Sequence, residues 1–255
     1  MSRSAIINSV DRALDIINYM YDKGEEVSLT MISKDLNIYK STVFRTLVTL
    51  MNKGFIEQNK ENEKYRLGTR LFIIGTGIER ETGLIRILKP YVENLKSCFG
   101  ETVNVAVLEK KRNWYESIII YKSESYHTLT VDTNVGSKNE CYCSSVGKCL
   151  LAFGEEIDLS FYKKENMKRF TDNTITEPDE LGKELERVRN NGYALDDEER
   201  ESGLVCIGVP IIQNGYAVAS VSLSGPKTRI KERMEEIIKA LLEAKESAAL
   251  ELSRK

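Results

Sequence analysis

Histidine occurs once in these 255 residues, at position 127, and tryptophan once. A single imidazole leaves acid–base catalysis with few candidates. No Ser-His-Asp order surrounds it, and GxSxG, HExxH, a phosphate loop and a dinucleotide fingerprint are all missing from the sequence. Five cysteines, an odd number in a long chain, argue against a disulfide framework. No stretch approaches the roughly 18 apolar residues of a membrane span, and the start, MSRSAIINSVDR, lacks the long apolar segment of a secretory leader. The expectation is a cytoplasmic protein without a membrane partner. There are only four prolines, and no Pro/Gly/Ser-rich tether, internal repeat or low-complexity tract interrupts the chain. A strong net charge is missing too: the formal value is −2.

The charge is unevenly placed. Residues 34–70 hold eight Lys or Arg against four Asp or Glu, a local +4 on a body that sums to −6 elsewhere. A basic island on an acidic body points toward nucleic acid. The same region has helical periodicity. SVDRALDIINYMYDKG repeats apolar residues at Val10, Leu14, Ile17 and Tyr21, which predicts one buried stripe, with Ser9 as the starting cap and Gly24 as the stop. SLTMISKDLN begins with Ser28 or Thr30 as cap and turns Met31, Ile32 and Leu36 inward. After a brief turn at 37–39, Val43, Leu47, Leu50 and Met51 form a third stripe that ends at Gly54. GFIEQ and EKYRLG then alternate as two short strands around the polar tip NKENE. Three helices followed by a ribbon make a winged helix-turn-helix.

The third helix gathers its donors at its leading end. Lys40, Ser41, Thr42, Arg45 and Thr46 share the polar side, and Lys60, Lys64 and Arg66 lie on the ribbon. A helix entering the major groove needs such a tip: Arg and Lys read guanine or neutralise phosphate, and Ser and Thr reach phosphate or base edges. The plainer reading is that Ser41 and Thr42 only cap a solvated helix.

Residues 69–95 read as helix twice over, with Gly75 and Gly77 as the weak points. Beyond 102, strand-like runs appear at TVNVAVLE, WYESIIIYK, HTLTVDT, LVCIGVPII and YAVASVSLS. Helices are expected at SSVGKCLLAFG, PDELGKELERVRNNG and 226–253. This is an α+β pattern on an antiparallel sheet. Polar groups interrupt its apolar elements. Ser144 and Ser145 cap a helix whose first amides could receive a carboxylate, Asp196 precedes a turn, Cys206 sits in an apolar strand, and Ser222 and Ser224 share one strand face. Each has a plain structural explanation as well. The acidic run 196–199 reads as a solvated loop with one inward carboxylate.

SVDRALDIINYM, SLTMISKDLNIYKSTVFRTLVTLMNKGFI and KYRLGTRLFIIG closely resemble the N-terminal domain of the IclR family of bacterial transcriptional regulators. CYCSSVGKCLLAF, GYALDDEERESGLVCIGVPII and VSLSGP resemble that family's second domain. The resemblance implies a winged helix-turn-helix over 1–70, a linker helix over 71–86 and an effector-binding domain of GAF/profilin-like type over 87–255. It implies double-stranded operator DNA as partner, homodimers or tetramers, and a small organic, carboxylate-bearing effector held by Asp196, Cys206, Ser222 and Ser224, with Gly147 near the closing helix. No cofactor, metal or catalysis is expected. Two alternatives stand beside this reading: an enzyme with a DNA-binding appendage, and a thiol or metal sensor using Cys141, Cys143 and Cys149. Against a metal, Cys-x-Cys is poor zinc spacing and the sole histidine lies well upstream.

Overall fold

A computed structural model describes residues 6–111, 113–131 and 133–253. The chain divides into two compact units, 1–82 and 83–255.

The first unit opens with α1 (Asn8–Lys23), α2 (Leu29–Asp35) and α3 (Lys40–Asn52). Ser28 caps α2 by accepting the Met31 amide at 3.2 Å. α1 ends as its sequence predicts, at Gly24 in the left-handed region. Its start and its buried face differ from expectation. Ile7, not Ser9, holds the cap position, and Ile16 and Met20 face the core, while Val10, Leu14 and Tyr21 stand about half exposed. The helix is apolar on two sides, and only one meets the core. α3 buries Val43 and Leu47 as expected, with Leu50 and Met51 packed at the margin. The wing is β1 (Ile56–Gln58) paired antiparallel with β2 (Tyr65–Leu67), and Ile56 and Tyr65 complete the core.

α4 (Thr69–Thr82) buries none of its residues. It breaks from α5 (Leu84–Phe99) at Gly83, whose φ of 58° a side chain would resist. The break therefore falls at Gly83 and not at Gly75 or Gly77, and the linker helix runs over 69–82 instead of 71–86.

In the second unit, β3 (Thr102–Lys111), β4 (Trp114–Ser123), β5 (Lys138–Glu140), β6 (Ala194–Asp197), β7 (Leu204–Gln213) and β8 (Tyr216–Pro226) form one antiparallel sheet of order β5-β4-β3-β8-β7-β6. Residues 127–133, expected as a strand, lie outside the sheet where described; the adjoining edge is supplied by β5 instead. One face of the sheet packs Val103, Val105, Ile207, Val209, Val221 and Leu223 against α5 and α9 (Met234–Leu252). The expected helix over 226–253 is in fact two, α8 (Lys227–Glu232) and α9. The other face carries α6 (Ser145–Phe153), eight of whose nine residues are buried, and beyond it α7 (Pro178–Asn191). Burial on both sides of the sheet is what lets α6 fix a small space beneath its first turn.

Candidate functional site

In the first unit, no side chain caps the first turn of α3. Ser41 and Thr42 therefore do not serve as caps. Lys40, Ser41 and Arg45 are exposed, and Thr42 and Thr46 are half-buried beneath them. Thr46 donates to the Thr42 carbonyl at 2.9 Å, so that hydroxyl is turned onto its own helix. Arg12 of α1 lines the same surface depression as Thr42, Arg45 and Thr46, which adds a cation that the sequence reading did not include. A depression of that kind, edged by cations and hydroxyls beside an uncapped helix start, fits phosphate.

Lys60 and Lys64 are exposed on the wing. Arg66 is placed differently. It pairs with Glu57 at 3.0 Å and with Glu26 at 3.8 Å, although its side chain is 56% exposed. Glu26 also accepts from Asn62 at 2.8 Å and from Asn59 at 3.0 and 3.1 Å; these bonds, Asn62's first, hold its carboxyl below the usual range. Arg66 thus belongs to the network that sets the wing against the loop before α2, while its side chain stays exposed alongside Lys60 and Lys64.

In the second unit, a cavity of about 220 Å³ lies between the α6 start and the sheet. Asp196, Cys206, Ser222 and Ser224 all line it, and Ser144 and Ser145 form its helical side. Strand register brings them together. Asp196 pairs with Cys206, Cys206 with Ser224, and Gly208 with Ser222, so one sheet face is polar across three strands. Gly208 has no side chain because α6 lies over it: a Cβ there would stand 3.0 Å from the Ser145 carbonyl carbon. Gly147 does not line the cavity. Its Cα is packed on the 3-10 turn Cys141–Cys143, where a Cβ would meet the Cys141 Cα at 2.3 Å, so its role is close packing. Ser144, as expected, caps α6 by accepting the Gly147 amide at 3.3 Å.

Asp196 is almost fully buried. Its Oδ1 accepts the amides of Glu199 at 2.8 Å and Arg200 at 3.3 Å, and burial pushes its carboxyl up to about 6. The acidic run 196–199 therefore sends two carboxylates inward, not one. Glu199 is buried as well and meets Lys148 Nζ at 2.5 Å, while Glu184 stands 3.4 Å from the same nitrogen. Burial opposes the charge on Lys148, yet Glu199 and Glu184 hold it protonated. Arg200 lines the cavity too, with its guanidinium 3.9 Å from the Phe170 ring centre and 3.0 Å from Glu140.

Cys141, Cys143 and Cys149 are wholly buried, and burial pushes all three thiols up, Cys149 to about 12. Thiolate formation is disfavoured at each. Among the described residues, no three His, Cys, Asp or Glu are grouped as a metal ion requires, and no helix is long and apolar enough to cross a membrane.

Residues 9–60 match the IclR helix-turn-helix domain, and residues 78–254 match the C-terminal domain of the bacterial transcriptional regulator IclR. The chain belongs to the IclR family. The HTH-type transcriptional regulator BhcR of Paracoccus denitrificans is 34% identical over 241 residues, 93% of this chain and 85% of its own length. The crystal structure of Thermotoga maritima IclR is 32% identical, with a TM-score of 0.73, and the match covers 96% of this chain and 98% of that one. An IclR homologue from Microbacterium hydrocarbonoxydans, complexed with 4-hydroxybenzoate, is 22% identical with a TM-score of 0.82, over 96% and 98% of the two chains, and shares the fold. As an IclR-family member the chain is a DNA-binding transcription regulator with an α+β architecture, and its relatives bear the names of transcriptional regulators. Within that frame, sequence reasoning missed Lys148, Arg200 and Asn104. Lys148 had a signal, a single cation inside the otherwise apolar run SVGKCLLAF; Arg200 and Asn104 had none, being polar residues in a turn and a strand.

Proposed function

We propose that this IclR-family chain is a non-enzymatic, cytoplasmic regulator whose grip on double-stranded operator DNA is set by a small organic acid bound in the second unit, and that it works as a homodimer or a pair of dimers. The observation that carries this reading is the convergence of Asp196, Cys206, Ser222 and Ser224 on one buried cavity beside the α6 start. A small, partly open space lined by a few polar groups suits a ligand of a few carbons, and the α6 amides ahead of Gly147 suit its carboxylate. The ligand named for the Microbacterium hydrocarbonoxydans homologue, 4-hydroxybenzoate, is larger and aromatic but carries a carboxylate too. Lys40, Ser41, Thr42, Arg45 and Thr46 make the groove-entering tip, and Lys60 and Lys64 the wing contacts.

Selection of sites from a random duplex pool supplies the DNA for the test. Arg45→Ala should weaken binding to the selected site at least tenfold at moderate salt, reduce the salt slope of the dimer by about 2, one for each copy, and leave the melting temperature unchanged. Unchanged affinity would remove Arg45 from the interface. Asp196→Ala should keep DNA binding while losing every response to added carboxylic acids; a normal response would place the ligand elsewhere.

A further inference from the structure

The cavity offers polar groups that the protein itself leaves unanswered. Asn104 lies on β3 directly across from Ser222 on β8, and both are buried on the α6 side of the sheet. The Asn104 Oδ1 accepts the Thr133 hydroxyl at 3.3 Å, which orients the carboxamide, and Asn104 lines the cavity. No hydrogen bond from the Asn104 Nδ2 or the Ser222 hydroxyl, and none to Asp196 Oδ2, forms among the described residues; each residue is at most 3% exposed, yet none of these three atoms is sealed from the cavity. Polar groups that open on a cavity without a protein partner are answered there by water or by a ligand, and several of them facing one small space are placed to take up a ligand's polar atoms.

The positions define the partner. Adjacent strands stand about 4.8 Å apart and alternate residues about 7 Å apart along a strand. Asn104 and Ser222 thus form one polar rung, and Ser224, Cys206 and Asp196 a second, with the α6 start facing both. The wall carrying Ile119, Val131, Val146 and Leu204 is apolar. An aromatic ring laid on this floor would leave the rungs unpaired. A flexible chain with oxygens on successive carbons answers both.

The geometry points to Asn104 as a specificity-determining residue that reads a hydroxyl of a short hydroxylated aliphatic acid, through the paired rung it forms with Ser222. The inference rests on the cavity being the effector site, and it adds a residue and a chemical class to that reading. Arg200 lines the same space, its guanidinium held between Glu140 and the Phe170 ring.

Titration calorimetry with D-glycerate, D-threonate and D-gluconate, against hexanoate and benzoate as acids without aliphatic hydroxyls, tests it on the full chain. At least one hydroxy acid should bind the wild type more than tenfold tighter than either comparator. Asn104→Leu should lose at least tenfold for that acid and no more than twofold for hexanoate, at an unchanged melting temperature. Asn104→Asp, which keeps the shape of the side chain but removes the donor, should lose it too and serves if the leucine variant fails to fold. Tighter benzoate or hexanoate binding, or no hydroxy acid bound at all, overturns the class. Equal hydroxy-acid affinity in both variants overturns the role of Asn104. If instead a hydroxy acid binds as expected but Asp196→Ala still responds to it in DNA binding, the cavity assignment itself fails, separately from the role of Asn104.

Discussion

Lys148 stands wholly buried among groups that give its charge a reason to persist. Removing one member of a buried ion pair costs more than removing the pair, because the remaining charge keeps its desolvation penalty. Lys148→Met should destabilise the second unit by about 3–5 kcal/mol in urea titration, and Lys148→Met with Glu199→Gln should recover a large part of that. Asp196 makes a second case. Its folded value of about 6 stands above the ordinary 3.8, with burial as the main cause, so the folded state holds the proton more tightly. The stability it contributes is present below about pH 4 and is lost as pH rises through 6. Relative to Asp196→Asn, which still accepts the two amides, the wild type should lose up to about 3 kcal/mol between pH 4 and 7. Parallel melts across that range check it; a gap that stays constant would mean that the carboxyl is solvated. Much of this polar face was legible, since Ser222 and Ser224 are two apart on an apolar strand. Asn104 was not, because one amide in TVNVAVLE is indistinguishable from a strand's solvated position until the strand across it is known.

Elements were legible where a single apolar stripe meets a single core, as in α3 and α7. α1 misled because its sequence is apolar on two faces, and periodicity locates stripes without saying which one finds a partner. The break at Gly83 was missed for a related reason. Gly75 and Gly77 weaken a helix by propensity, but the chain needs its left-handed residue where α5 starts on the sheet. The wing illustrates how an element is held by residues outside it. Glu26 precedes α2, yet it takes hydrogen bonds from Asn59 and Asn62 and an ion pair from Arg66. Glu26→Ala should free the hairpin tip that presents Lys60 and Lys64. The expected outcome is DNA affinity down several-fold, faster amide exchange confined to 57–66, and a melting temperature within a degree or two of wild type. Unaltered exchange in the hairpin would show that strand pairing alone holds the wing.

The first unit leaves two apolar surfaces in water, Val10, Leu14 and Tyr21 on α1 and Phe72, Ile73 and Ile78 on α4, with Phe72 74% exposed. Exposed apolar groups on consecutive turns are characteristic of surfaces that another chain covers. The proposed second copy would account for them and would also explain why one short basic helix suffices for specific binding: two tips tethered together bind with the avidity of linked sites. Each copy brings Lys40, Arg45, Lys60 and Lys64 as exposed cations, so a dimer neutralising eight phosphates should show a slope of log affinity against log salt near −7. Leu14→Glu or Phe72→Glu places a charge in the shared surface. Either should shift the species seen by sedimentation velocity to a smaller one and bring the slope to roughly half, while Arg45→Ala should keep the assembly and lower the slope by about 2, one for each copy. Variants that sediment and bind like wild type would assign the two apolar surfaces to a different partner and leave specificity to a single tip.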